Sequence, residues 1–172
     1  EYELDCLIYA SGFEVGTDYS RRADIQLLGC GGNTLTEKWA SGVRTLHGMH
    51  VNGFPNCFIM SNAQAGFTAN YPHLLDEQAK HIAYIIETAS AKGCSRVEVT
   101  EQGEAGWVQR CIDRARDTGD FLENCTPGYY NNEGRTGDRS AQDGFYGGGS
   151  IEFFRLLGEW RAAGGLEGLA LR

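Results

Sequence analysis

Apolar positions along the chain gather into a few runs set between long polar, glycine-rich stretches, and the runs differ in period. Between Pro72 and about Lys92, Leu75, Ala79, Ile82, Ile86 and Ala89 recur at steps of four and three residues, the spacing of one helical face. The pattern predicts a long central helix buried on that face. Pro72 suits its first turn, where a missing N–H costs nothing, and Gly93 is placed to stop it. Asp76 and Glu77 read as first-turn acids that complement the helix dipole. A second helix is expected over about Gln102 to Arg116, with Thr100 as N-cap and Trp107, Val108, Cys111, Ile112 and Ala115 on the apolar side. Ser150 reads as the N-cap of a last helix ending at Gly164-Gly165.

The other runs are shorter and rich in β-formers. Leu4 to Ala10, closed by Ser11-Gly12, predicts a buried strand ending in a turn. Cys57 to Met60 predicts a second buried strand, entered from the turn Gly53-Phe54-Pro55-Asn56. Val97-Glu98-Val99 predicts a short strand, and the tail Leu166 to Leu171 a returning one. Residues 14–56 offer only short apolar pieces, with a turn at Gly31-Gly32-Asn33, and read as a wandering connection that could include a short hairpin, and residues 118–149 are irregular and rich in Gly and Tyr. The expected class is α/β, with a few strands, one long central helix and long irregular loops.

Bulk properties narrow the functions open to such a fold. At 172 residues the chain is one domain or a piece of one. Its formal charge of -8, with no basic stripe, argues against binding to nucleic-acid backbones or anionic lipid. The six cysteines form no C-x-x-C pair, so reduced, mostly buried thiols are expected ahead of a disulfide framework. His47, His50, His73 and His81 lack the spacing of a metal site. No apolar stretch approaches the roughly 20 residues that span a bilayer. Glu1-Tyr2-Glu3 supplies neither an initiating Met nor a signal-like segment, which suggests a start within a longer sequence.

Candidate chemistry begins at Asp5-Cys6-Leu7-Ile8-Tyr9-Ala10-Ser11-Gly12-Phe13, where a strand ending in small residues would let backbone approach a flat or phosphorylated ligand; the same junction also occurs for purely structural reasons. A helix N-terminus entered from Ala69-Asn70-Tyr71 and opened by Pro72 could hold an anionic ring edge, and Asn70 could equally do no more than cap the helix. Tyr129 and Tyr130 could close over a site or pack a surface loop.

The ordered set of motifs carries more weight than any one of them. The first run resembles the strand and A-T-G-type turn between the two dinucleotide-binding domains of flavin monooxygenases, with Ser11 in place of Thr. Gly53-Phe54-Pro55-Asn56-Cys57-Phe58, then Glu77-Gln78, then Cys125-Thr126-Pro127-Gly128-Tyr129-Tyr130-Asn131-Asn132-Glu133-Gly134, Phe145-Tyr146-Gly147-Gly148-Gly149 and Phe153-Phe154-Arg155-Leu156-Leu157 follow in the order and spacing of Baeyer-Villiger monooxygenases. Essentially the whole chain resembles the C-terminal part of that family, which includes phenylacetone and cyclohexanone monooxygenases.

The resemblance implies the C-terminal portion of a fold with two dinucleotide-binding domains: residues 1–13 as final strand and hinge of the NADP-binding domain, and 14–172 as the end of the FAD-binding domain. It implies FAD and NADP as cofactors, with a small-molecule ketone, NADPH and O2, and the upstream part of the same cytoplasmic enzyme, as partners; no nucleic acid and no membrane are involved. It assigns Ser11, Gly12, Phe13, Ala69, Asn70, Tyr71 and Pro72 to the cofactor, and Gly66, Phe67, Thr68, Tyr129 and Tyr130 to the substrate side, with Tyr129 and Tyr130 on a segment that closes over the site. Asn62-Ala63-Gln64 departs from the family's Gly-Pro pattern in that loop.

The family's G-x-G-x-x-G fingerprints, its His and Trp signature and its reactive arginine do not occur in this sequence, so no catalytic residue is expected here and the chain alone should be inactive. The activity implied for the whole enzyme is insertion of one oxygen atom of O2 into a ketone, giving an ester or lactone. An enzyme that oxygenates nitrogen or sulfur is the nearer alternative, and a non-catalytic fragment or small binding module the more distant one.

Overall fold

The computed structural model describes residues 2–9, 19–116, 124, 126 and 140–172. Its elements in chain order are α1 (Tyr19–Ala23), α2 (Leu35–Lys38), α3 (Tyr71–Ala91), β1 (Val97–Val99), α4 (Glu101–Asp113), α5 (Ser140–Asp143), α6 (Gly149–Ala163) and β2 (Leu169–Leu171). The expected mixed class is found, with long irregular segments around one long helix.

The long helix α3 matches its predicted ends. Pro72 sits in the first turn, the Asn70 side chain caps the His73 N–H, and Gly93 follows the C-cap in the left-handed region at φ +70°, where a side chain would be strained. Its buried face is displaced by one residue from the predicted one. Leu74, Gln78, His81, Ile85 and Ala89 are buried, whereas Leu75 and Ile82 are half-buried and Ala79 and Ile86 are exposed. The apolar pattern misplaced the face because two of its five buried positions are polar. Asp76 and Glu77 are also corrected: the helix begins at Tyr71, so they lie beyond the first turn, which carries no acid. Both instead receive Lys80, at 2.7 and 2.9 Å.

Thr100 caps α4 through the Gly103 N–H as expected, and Trp107, Val108 and Cys111 form its buried side, while Ile112 is exposed. Ser150 is not a cap. Helix α6 starts one residue earlier, at Gly149, without a side-chain cap, and ends at Gly164 in the left-handed conformation. Phe153 and Leu157 of α6 join Leu74 of α3, Trp107 and Cys111 of α4, and Met49 and Tyr146 in the main core.

Strand β1 pairs antiparallel with β2, Val97 opposite Leu171 and Val99 opposite Leu169, so the predicted returning tail is found at its last three residues. The other edge of β1 is met by Asn52 and Asn56, through side chains and one main-chain N–H, rather than by a strand. Asn56 gives its own N–H to Val97 O at 2.9 Å and accepts the Val97 N–H on Oδ1 at 2.8 Å, and Asn52 donates from Nδ2 to Val99 O at 2.7 Å. Asn56 does so at φ +57°, which Asn tolerates better than most residues. These contacts explain why Cys57 to Met60 is irregular chain and not the predicted buried strand. The edge it would have joined is already occupied, and Ile59 instead gives its N–H to Met49 O at 2.8 Å.

Leu4 to Tyr9 also fails as a buried strand. Leu7, Ile8 and Tyr9 are exposed, and the segment carries no strand pairing among the described residues. An apolar run shows what needs covering, but a strand also needs a neighbour to take its N–H and C=O groups. Gly31-Gly32-Asn33 forms the expected turn, closed by a bridge between Leu28 and Thr34. The five described cysteines are unpaired thiols, yet only Cys111 is buried; Cys6 and Cys30 are exposed, and Cys57 and Cys94 lie between. The expectation of mostly buried thiols is thus corrected, since an apolar neighbourhood in sequence does not guarantee cover in space. Burial pushes the Cys111 thiol up to about 12.

Helix α4 is tied to the irregular N-terminal half by a charge. Glu104 is fully buried and takes Lys38 Nζ at 3.0 Å, Arg44 Nε at 3.2 Å and the Asn52 N–H at 2.9 Å. Two cations and an N–H offset much of the cost of taking that carboxylate out of water, and removing any partner would restore it.

Candidate functional site: the loop that enters the long helix

Residues 61–70 lead into α3 and pack on the segment that leads into α6. The Tyr146 N–H donates to Ala65 O at 2.9 Å, and Gly66 forms a parallel bridge with Tyr146. A Cβ on Gly66 would stand 2.6 Å from Phe153 Cβ and 2.8 Å from Ser150 Cα, so the close approach of loop and α6 requires glycine there. Just beyond, the Phe67 ring lies 4.6 Å from that of Phe145 with 33° between their planes, and both rings are exposed, Phe67 by 50%. Thr68 then accepts the Asn70 N–H on Oγ1 at 3.2 Å, which turns the chain into the helix.

The sequence-assigned residues Gly66, Phe67, Thr68, Ala69, Asn70, Tyr71 and Pro72 therefore form one continuous rim at the N-terminus of α3. Tyr71 is 42% exposed, and Ala69, Asn70 and Pro72 are exposed with it. Capping by Asn70 is observed: the His73 N–H meets Asn70 Oδ1 at 3.4 Å and Asn70 O at 3.1 Å. What α3 offers outward is thus the positive end of a 21-residue helix dipole, and no first-turn carboxylate offsets it. Ser11, Gly12, Phe13, Tyr129 and Tyr130 lie outside the described residues.

Phe145 is a rim residue that the sequence reading quoted within a motif without giving it a role. Its signal was faint, since only the fold brings it to Phe67. Gln64 is a second such residue. A third group lies beneath the rim, where His47, His50 and His81 are buried together with Gln78. His47 Nδ1 and His81 Nε2 are 3.3 Å apart, His47 stands edge-on to Trp107 and Trp160, and His50 edge-on to Phe58. His50 Nε2, His81 Nδ1, Gln78 Oε1 and Arg161 Nη1 have no hydrogen-bond partner among the described residues. Burial lowers His47 to about 3, His50 to about 4 and His81 to about 2, aided at His47 and His81 by neighbouring histidines and by Arg110 and Arg161 respectively. All three rings are neutral at pH 7. Among the described residues no cluster of His, Cys, Asp or Glu is arranged to hold a metal ion, and no helix is long and apolar enough to cross a membrane. A shallow cleft walled by Leu28, Cys30, Phe54, Pro55 and Cys57 holds no charged side chain in its lining and is separate from this rim.

No family model matches the sequence. Over its full length the chain is 49% identical to pentalenolactone D synthase of Streptomyces exfoliatus, and over 99% of its length 40% identical to a Baeyer-Villiger monooxygenase of Stachybotrys chlorohalonatus. An FAD-binding monooxygenase of Hypomyces subiculosus is 36% identical over 98% of the chain. Among solved structures, the polycyclic ketone monooxygenase of Thermothelomyces thermophila superposes with a TM-score of 0.79 over 90% of the chain at 34% identity, and an oxidized steroid monooxygenase bound to NADP with 0.71 over 88% at 28%. The chain spans 30% of the length of pentalenolactone D synthase and 28% of the two fungal relatives, and matches 25% and 27% of the two solved chains. In sequence and fold it is the equivalent of a C-terminal portion of Baeyer-Villiger monooxygenases.

Proposed function

We propose that this chain forms part of a Baeyer-Villiger monooxygenase that inserts one oxygen atom of O2 into a ketone, with residues 66–72 lining its active site. The single observation that carries the reading is the rim itself: an uncompensated helix N-terminus with an exposed pair of phenylalanines beside it, in a chain homologous throughout to enzymes of this kind. Residues 1–13 belong on this reading to the hinge from the NADP-binding domain and 14–172 to the FAD-binding domain, in a cytoplasmic enzyme. FAD, reduced by NADPH, supplies the oxygen-transfer chemistry when bound.

The chain's own residues do the positioning. The N-terminus of α3 presents partial positive charge to the electron-rich pyrimidine edge of the ring system, with Asn70 fixing the first turn so that the dipole points outward. Ala69, Tyr71 and Pro72 form the surface against that edge. Phe67 and Thr68 face the ketone, and Phe67 with Phe145 supplies an apolar wall that excludes water from it. On the same reading Ser11, Gly12 and Phe13 belong to the cofactor side and Tyr129 and Tyr130 to the substrate side.

Separating ketone choice from cofactor reduction tests the reading. In the full-length enzyme, Phe67→Ala and Thr68→Ala should change the ratio of kcat/KM for a small and a bulky ketone by roughly 1 to 3 kcal/mol of discrimination while NADPH-driven flavin reduction, which uses other residues, stays nearly constant. Unaltered ketone preference in both variants would remove this loop from the substrate side.

A further inference from the structure

Gln64 lies in the loop that leads into α3, and the structure places several bonds on it. Its side chain is fully buried and its backbone is left-handed at φ +53°. Oε1 accepts the Thr45 hydroxyl at 2.6 Å, and Nε2 donates to Val43 O at 2.8 Å and to Gln142 O at 2.9 Å. Its main chain is equally engaged, with the N–H on Gly144 O at 2.8 Å and the carbonyl receiving Trp107 Nε1 at 3.2 Å. One residue thus joins the 43–45 segment, the 142–144 segment and α4, with every polar atom of its side chain satisfied.

The location of those bonds matters more than their number. Phe67 follows Gln64 by three residues and Phe145 follows Gly144 by one, so the bonds from Gln64 to Gln142 and Gly144, with Tyr146 N–H on Ala65 O, fix the two chains that carry the paired rings. A glutamine amide can do this because it offers two donors and an acceptor in one plane. A buried amide so fully paired holds its segments tightly, since moving either would leave polar groups unpartnered.

We propose that Gln64 is the positioning residue that sets the spacing of the Phe67 and Phe145 rings and, through it, which ketones the parent enzyme accepts. The inference rests on the reading of residues 66–72 as a substrate-side rim. Gln64 touches no reacting atom; it acts through the loop it anchors.

The test uses the full-length enzyme with its flavin. Gln64→Met keeps the length of the side chain and removes its hydrogen bonds, and Thr45→Val removes the partner of Oε1, together with the acceptor of the Gly48 N–H at 3.0 Å, at a position off the rim. Three quantities are read in each: the ratio of kcat/KM for a small monocyclic and a bulky polycyclic ketone, the rate of NADPH-driven flavin reduction, and hydrogen exchange of residues 64–68 and 144–146. Expected is a change in the ketone ratio of about fivefold or more in Gln64→Met and a smaller change in the same direction in Thr45→Val, with reduction within about twofold and faster exchange in both segments. Equal loss of kcat/KM for both ketones, in step with a fall in Tm, would overturn the proposal and leave Gln64 a purely structural residue. If Gln64→Met does not retain flavin, the Thr45→Val ratio and exchange decide alone, and an unchanged ratio there counts against it. A shifted ratio in Phe67→Ala beside an unshifted one in both anchoring variants would fault Gln64 and spare the rim, whereas no shift in Phe67→Ala would fault the rim itself.

Discussion

Two groups of polar and aromatic side chains sit within about 15 Å of helix length along α3 and meet water in opposite ways. At the N-terminus, Phe67, Phe145 and Tyr71 leave apolar surface in solvent around an uncovered helix end. Less than three turns on, His81 and Gln78 are fully buried against His47 and His50. The first arrangement gives up hydrophobic stabilisation that burial of the rings would have supplied, and the second gives up the hydration of imidazole and amide groups. A rim that is left open serves whatever comes to cover it. A core that is polar has no such occupant to wait for, and its cost falls on the stability of the chain itself.

Acid should separate the two most sharply. The folded-state values of His47, His50 and His81 lie below the ordinary 6.5, so the unfolded chain binds more protons whenever pH falls under that figure. Their contribution is therefore fully present above pH 6.5 and is lost progressively as pH falls through about 4 for His50, about 3 for His47 and about 2 for His81, each ring forfeiting up to about 1.4 kcal/mol per pH unit across its window. Arg110 and Arg161 add to the loss by repelling the charged rings, while Glu37 and Glu152, held below the ordinary 4.5 by hydrogen bonds, act only in a more acid range. Denaturant titrations at pH 7.5, 6, 5 and 4.5 should show a level region and then a steady decline, made shallower in His81→Leu. Level stability down to pH 4.5 would mean that the rings take protons without opening the core.

A pair of truncations one helical face apart sharpens the contrast next. Leu74 is fully buried between α4 and α6, so Leu74→Ala should cost about 2 to 5 kcal/mol, whereas Ile86→Ala, at a position 49% exposed, should cost under about 1 kcal/mol. The periodicity of the sequence predicts the reverse emphasis, with Ile86 on the core side. A larger loss in Ile86→Ala than in Leu74→Ala would place the buried face where that periodicity put it.

That displaced face shows what the sequence could and could not say. Both ends of α3, the start of α4 and the end of α6 were legible because capping is local chemistry: Asn70 or Thr100 before a helix and Gly93 or Gly164 after one act on backbone groups a few residues away, whereas α4 stops at Asp113, short of the expected Arg116. The buried face of α3 was not, because Gln78 and His81 are held inside by partners 17 and 34 residues distant, Ser61 O and His47. Strand predictions fared by the same rule. Val97–Val99 and the C-terminal tail find each other within the chain, while Leu4 to Tyr9 and Cys57 to Met60 have the composition of strands without a free edge to join among the described residues. At the site, the family resemblance marked residues 66–72, but Phe145 beside Phe67 and Gln142 beside Gln64 are brought to that loop only by the fold.

The smallest expected effect divides the two duties of Asn70. As a cap it accepts the His73 N–H at 3.4 Å, a long bond, so Asn70→Ala should lower stability by about 1 kcal/mol or somewhat less. Asn70→Asp keeps the acceptor and adds a negative charge beside a helix end that has no first-turn acid of its own, which should hold or raise stability by about 0.3 to 1 kcal/mol. On a plain capping role the two substitutions differ only in that order. If the N-terminus of α3 also faces an anionic edge of the flavin, Asn70→Asp does something a cap cannot: it stabilises the fold while opposing negative charge on the ring, so the reduced cofactor is held less well and the flavin midpoint potential moves down. Thermal unfolding beside a potentiometric titration of the full-length enzyme measures both. A potential that is unchanged in Asn70→Asp while Tm rises would confine Asn70 to capping and move the pyrimidine edge away from this helix.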